Sequence, residues 1–260
     1  MLLNPLRQKL ADGKPVIGPL LQEIPDSLEL IEYFGSAGFD YVMVDGEHGG
    51  VGPEFARQCA RAAEASGIVA LARVPDTDPG RILTFLDSGI MGIILAHCNT
   101  AEDAENLVKA CKYPPRGIRG ASGGSRAALY GYGPSIGEKM DVFDRETMCL
   151  GLIEEGRAVA NVGAMLKVDG FDGCFLGAGD MALSMKREYL GHSPSHPEVQ
   201  AAIDKVRDET LAAGKLVMCP AGSGAAAKAL IDSGIQMIVV QFGQMFRTAL
   251  NGYLSAAKGE

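Results

Sequence analysis

The chain has no apolar run that could cross a bilayer. Its longest apolar stretches, such as residues 91–96 and 237–240 of the 260, fall far short of the roughly 20 residues a membrane-spanning helix needs. The first 15 residues carry charges throughout and have no apolar core followed by small residues, so they do not read as a secretory signal and a cytoplasmic location is expected. Cysteine is sparse: six residues, Cys59, Cys98, Cys111, Cys149, Cys174 and Cys219, with no C-x-x-C pair. That spacing excludes a disulfide framework and a zinc site and leaves small core residues. An excess of basic residues is also missing, since 24 Lys and Arg stand against 32 Asp and Glu for a net charge of −8. Nucleic acid is therefore not an expected partner, and neither is a membrane.

What is present is a large apolar fraction, 47%, and a repeating pattern. Apolar runs of strand length at 16–21, 41–44, 69–74, 92–96, 148–153, 173–176, 216–219 and 237–241 are each followed by a segment with apolar residues at helical spacing. Several runs are continuously apolar, as parallel strands buried on both faces require. Caps mark the helices: Asp26 or Ser27 and Gly38 bound one, Asn99 or Thr100 starts another, and Pro197 and Gly214 bound a third. Eight strand–helix units predict an α/β fold, a (β/α)8 TIM barrel in preference to a doubly wound open sheet, as a single domain over 1–260. The longest irregular stretch, 113–139, carries Arg116, Arg119 and Arg126 and reads as an anion-facing loop.

Barrel enzymes take their site residues from the carboxyl ends of the strands, and these ends are polar here. Glu154 and Asp180 end neighbouring strands, where two carboxylates can converge on a hard divalent cation, with Glu155 an alternative to Glu154; both acids could equally cap helix or turn starts. Asp45, Glu47 and His48 crowd one strand end, where a histidine beside carboxylates suits proton transfer. Arg73 closes an apolar strand and suits carboxylate binding or an ion pair with one of those acids. His97 and Asp87 are weaker candidates, and His192 and His196 lie in a polar loop where surface or capping roles are the default.

Four stretches, "AGFDYVMVDGEHG" at 37–49, "LARVP" at 71–75, "NTAEDAENLVKACKYPPRGIRG" at 99–120 and "FDGCFLGAGDMALSM" at 171–185, occur in an order that resembles the HpcH/HpaI family of metal-dependent class II pyruvate aldolases. The resemblance covers nearly the whole chain. It implies a (β/α)8 barrel, often a hexamer built as a trimer of domain-swapped dimers, that cleaves a 4-hydroxy-2-oxo acid to pyruvate and an aldehyde through a pyruvate enolate. It places the metal ligands on Glu154 and Asp180, for Mg²⁺, Mn²⁺ or Co²⁺, the catalytic histidine on His48 with Asp87 as its partner, and the pyruvate-orienting arginine on Arg73. Gly177, Ala178 and Gly179 are expected against the substrate, with Asp45 supporting from behind.

The chain departs from the family pattern at Leu152, where a glutamine is usual, at Ala178 and Gly179 in "GAGD", and in the last strand. Two other readings compete with aldol cleavage: decarboxylation of oxaloacetate, which yields the same enolate, and a non-catalytic 2-oxo-acid binding barrel. The final segment places Met245, Phe246, Leu250 and Leu254 on one helical stripe that has to bury against something, and the resemblance assigns that partner to another subunit.

Overall fold

The computed structural model describes residues 3–21, 28–192 and 195–259. Eight strands, β1 (Val16–Leu21), β2 (Tyr41–Asp45), β3 (Val69–Val74), β4 (Gly92–Leu95), β5 (Met148–Ile153), β6 (Gly173–Leu176), β7 (Leu216–Ala221) and β8 (Met237–Gln241), form a closed barrel in sequence order. Every neighbouring pair is parallel, and β8 closes on β1 through Val16↔Met237 to Leu20↔Gln241. The expected (β/α)8 TIM barrel is the observed fold.

Eleven α-helices accompany the strands among the described residues. They are α1 (Pro5–Ala11), α2 (Leu28–Ala37), α3 (Pro53–Ala65), α4 (Pro79–Asp87), α5 (Ala101–Cys111), α6 (Ile136–Glu146), α7 (Gly156–Met165), α8 (Ala178–Met185), α9 (Pro197–Ala212), α10 (Gly224–Asp232) and α11 (Phe242–Lys258). Local chemistry sets several ends. Thr100, not Asn99, caps α5 in a reciprocal box with Asp103. Pro197 opens α9 at its first position. Gly38 follows α2 at φ 92°, a left-handed turn that a side chain resists. The proposed cap at Asp26 or Ser27 lies outside the described residues.

Two apolar layers follow from the alternation of strand side chains. Tyr41 and Met43 of β2, Val69 and Leu71 of β3, and Leu150 and Leu152 of β5 fill the barrel interior, while Val42, Val44, Ala70 and Ala72 face the helices. Gly18 makes room for the buried Tyr41, because a Cβ there would lie 2.5 Å from its ring. The Tyr41 hydroxyl donates to Ile238 O at 2.7 Å across the barrel. At the amino-terminal end of the barrel Leu6 of α1 joins the inner layer, and Arg7 donates to both carboxylate oxygens of Asp172 at 2.9 Å.

The stretch 113–139 differs from its expected role. Arg119 pairs with Asp87 at 3.0 Å and lies over the Tyr113 ring, Arg116 pairs with Asp169 at 2.9 Å, and Arg126 is bound to Glu64. All three guanidinium groups are thus matched by carboxylates of the chain itself, which corrects the anion-facing reading, and α6 begins inside the segment at Ile136.

α11 leaves its apolar stripe bare. Phe242 is buried, but Phe246 is 52% and Leu250 48% exposed, and Met245 and Leu254 are exposed as well. Beside it runs a groove of about 390 Å³ between α10 and the β1–β8 seam, lined by Ile17, Phe39, Ala227, Ile231, Val240 and Met245.

Candidate active site

The mouth of the barrel is made by side chains that continue the inward rows past the last apolar layer. Leu150 and Leu152 lead to Glu154, Tyr41 and Met43 lead to Asp45, and Val69 and Leu71 lead to Arg73. A period of two therefore carries three charged groups to one end of the barrel, where all three are buried.

Asp45 grips Arg73 along one edge of the guanidinium. Nε donates to Oδ1 at 2.9 Å and Nη2 to Oδ2 at 2.6 Å, while Nη1 lies 3.1 Å from Glu47 Oε2. Burial opposes ionisation of both partners, but the paired charge and hydrogen bonds more than offset it. They hold the Asp45 carboxyl below its usual range and push Arg73 above its own. Both sequence readings of Arg73 therefore meet in one geometry: it is ion-paired, and it also lines the mouth.

Asp45 sets the next turn as well. Its Oδ1 accepts the amide N–H of Glu47 at 3.1 Å and of His48 at 3.2 Å, an Asx-type turn. Glu47 is turned inward, its side chain almost fully covered, while the His48 side chain stays at the rim, 56% exposed, with Nε2 3.7 Å from Glu47 Oε1. Glu47 Oε2 accepts no hydrogen bond among the described residues although it is buried.

His97 joins these acids from the end of β4. Its backbone is left-handed at φ 50°, and its N–H donates to Glu154 Oε1 at 2.8 Å. The ring lies between carboxylates, with Nδ1 3.3 Å from Glu154 and 3.2 Å from Glu155, and Nε2 3.2 Å from Glu47. In the sequence the strand-end position is the only signal for His97, because nothing in the residue type announces a left-handed backbone.

Glu154 does not cap a helix. Glu155 occupies the cap position of α7 and makes no capping bond there, and Asp180 sits within the first turn of α8. Burial pushes the Glu154 carboxyl above its usual range, the His97 N–H opposes this, and the negative charges of Glu47 and Asp180 add to it. Glu154, Asp180 and Arg73 line one cavity of about 500 Å³ with Gly177, Ala178 and Gly179. Gly177 is required where it stands, since a Cβ would lie 2.7 Å from Glu154 Cβ and 3.4 Å from its Oε2. Leu152 forms part of the apolar floor.

These residues suit a hard divalent cation. Asp45, Glu47, Glu154 and Asp180 supply four carboxylates against one guanidinium, Glu47 Oε2 is buried beside Arg73 but accepts no hydrogen bond among the described residues, and Glu47, His97 and Glu154 offer ligand atoms within 4.8 Å of one another. Asp87 is placed elsewhere. It ends α4, at the amino-terminal end of the barrel, and is bound by Arg119. Among the described residues no hydrogen bond or ion pair joins it to His48. His196 stacks on Tyr189 with centroids 3.6 Å apart.

Together, the parallel barrel and its acid-rich mouth with a fixed arginine define an enzyme of the TIM-barrel class with its site at the strand carboxyl ends. The chain belongs to the HpcH/HpaI aldolase/citrate lyase family, whose model matches residues 25–238. It is 35% identical over 218 residues to a 4-hydroxy-2-oxovalerate aldolase of Rhodococcus jostii, covering 82% of this chain and 80% of the relative. It is 32% identical over 237 residues to a 4-hydroxy-2-oxo-heptane-1,7-dioate aldolase of Salmonella typhimurium, covering 91% and 88%. A crystal structure of an HpcH/HpaI aldolase/citrate lyase family protein from Burkholderia cenocepacia superposes with a TM-score of 0.89 at 27% identity, over 98% of this chain and 99% of that one.

Proposed function

We propose that this single-domain barrel, residues 1–260, is a divalent-cation-dependent lyase that reversibly cleaves a 4-hydroxy-2-oxo acid to pyruvate and an aldehyde. The observation that carries the reading is the convergence of Glu154, Asp180 and Arg73 on one cavity at the strand ends. The relatives, named as aldolases of 4-hydroxy-2-oxo acids, support it over oxaloacetate decarboxylation or non-catalytic binding.

Glu154 and Asp180 hold the cation, Mg²⁺, Mn²⁺ or Co²⁺, because each presents a carboxylate to the cavity while the His97 ring is already spanned by acids. The cation supplies Lewis-acid polarisation of the oxo-acid oxygens. Arg73, immobilised by Asp45, stabilises negative charge that develops on the keto oxygen as the C3–C4 bond breaks. The first turn of α8 at Gly177, Ala178 and Gly179 receives the substrate carboxylate. His48, at the rim, takes the C4 hydroxyl proton and passes it to solvent. Asp87 of the same chain is at the other end of the barrel, so if it supports His48 it does so from a neighbouring subunit.

That neighbour is part of the proposal. The bare stripe of α11 and the apolar groove beside it fit an exchange of α11 between two copies, assembled further as a hexamer of three dimers. A cytoplasmic location suits the six free cysteines, and no described helix is long and apolar enough to cross a membrane. Pyruvate release from a 4-hydroxy-2-oxo acid should vanish in excess chelator and return with Mg²⁺ or Mn²⁺. Undiminished turnover in chelator would sink the proposal.

A further inference from the structure

The oxo-acid machinery occupies only part of the mouth. Arg73, Glu154, Asp180 and the start of α8 stand on the β3–β5–β6 side, and the same cavity continues to the ends of β7 and β8. There its wall is Leu20, Pro220, Gly222, Val239, Gln241 and Gln244. Leu20 and Gln241 are register partners across the β1–β8 seam, so apolar and amide groups alternate along this wall. Gly222 adjoins Gln244, whose Nε2 lies 3.5 Å from where a Cβ on Gly222 would stand. Among the described residues neither the Gln241 nor the Gln244 carboxamide makes a side-chain hydrogen bond, so both keep donors and acceptors for a ligand.

Charge narrows what can sit there. Four carboxylates face one arginine at the mouth, and that arginine is committed to Asp45 and Glu47. One divalent cation and one substrate carboxylate leave the mouth negative. Arg73 is the only cationic side chain lining the cavity among the described residues, so a second carboxylate at the aldehyde end would meet repulsion with no partner.

We propose that the β7–β8 side of the mouth is the aldehyde end, that it takes a small uncharged aldehyde, and that Gln244 determines specificity by hydrogen bonding to a hydroxyl on that aldehyde. The inference rests on the aldolase reading and names the substrate class for the same site. Neutral amides bind a hydroxyl without the desolvation that a carboxylate demands, and a site built to hydrogen-bond a hydroxyl discriminates against the analogue that lacks one.

The full chain, loaded with Mg²⁺, is assayed for aldol addition of pyruvate to three aldehydes of equal carbon number: butanal, 3-hydroxybutanal and succinate semialdehyde. Wild-type kcat/KM should favour 3-hydroxybutanal over both others, by about tenfold for the missing hydroxyl and more for the carboxylate. Gln244→Leu should erase most of the preference for 3-hydroxybutanal over butanal. Gln244→Arg should raise the succinate semialdehyde rate relative to butanal by about tenfold, a gain that a misfolded variant cannot give. Exchange of pyruvate methyl protons by the wild type, followed without any aldehyde, tests the underlying reading separately. Exchange accompanied by a wild-type preference for succinate semialdehyde, or by an unchanged hydroxyl preference in Gln244→Leu, overturns the inference alone. Absence of exchange overturns the aldolase reading and the inference with it.

Discussion

The proposed function gives His48 and Arg73 different moments of contact with the substrate. In the proposed reaction His48, at the rim, would serve only a proton on the C4 hydroxyl, whereas Arg73, clamped by Asp45 at 2.9 and 2.6 Å, would serve charge on the pyruvyl fragment. His48→Ala should lower aldol cleavage by roughly 10²- to 10⁴-fold and spare most decarboxylation of added oxaloacetate, which needs no base at C4. Arg73→Ala should depress both, and Arg73→Lys should rescue little, because an ammonium lacks the planar fork. Parallel steady-state kinetics on the two substrates decide it: equal losses for His48→Ala would make His48 a shaper of the site. Asp45 carries a separate prediction. Its folded carboxyl is held below the ordinary value of about 3.9, so its stabilising effect is complete above that value and disappears as pH falls through the lower folded one. Asp45→Asn should cost about 3 kcal/mol near neutrality. The gap between wild-type and variant urea stabilities should close only in strongly acidic buffer. A gap already closed at pH 6 would contradict the pairing.

The elements were legible in the sequence to different depths. Five strands begin and end where apolar periodicity places them, because a parallel strand buried on both faces has to be apolar throughout. β7 extends past its expected end at Cys219 to Ala221, since Pro220 looks like a breaker but its carbonyl side still aligns with Val239 of β8. Residue types also reveal which carboxylates and cations stand at strand ends. They do not reveal which way a turn aims them. Glu47 points inward and His48 outward because Asp45 captures two successive amides, and His97 reaches Glu154 because its backbone is left-handed. Asp87, drawn toward His48 by resemblance, ends α4 at the amino-terminal end of the barrel, where it pairs with Arg119, a contact between distant residues that no local pattern encodes. At this scale α11 is the element to test. Leu250→Asp or Phe246→Asp would place a charge on its bare stripe and should convert an oligomer to monomer by light scattering with little change in far-ultraviolet circular dichroism. A wild type that is monomeric at micromolar concentration would reject the exchanged assembly.

For the molecule as a whole, the acid-rich mouth is a cost to the cation-free fold. Glu154 resists ionisation there because it is buried beside Glu47 and Asp180. Added Mg²⁺ or Mn²⁺ should therefore raise the thermal midpoint in step with the logarithm of its concentration. Glu154→Gln should remove that response and by itself raise the cation-free midpoint by a few degrees, about 1 kcal/mol. Calorimetry with and without chelator checks both, and a cation response that survives in Glu154→Gln would move the cation to other ligands. Closure of the barrel has a different consequence, one that falls on the growing chain. The first strand finds one of its two neighbours only in the last, with Val16 beside Met237, so during synthesis at roughly 5–20 residues per second the β1 edge waits on the order of tens of seconds for its partner. Until Met237–Gln241 clear the ribosome, β1 and β7 each lack one neighbour, so a sheet of the first seven strands would carry two unpaired edges. Any message truncated before Met237 therefore yields a product destined for chaperones or aggregation and not a smaller barrel.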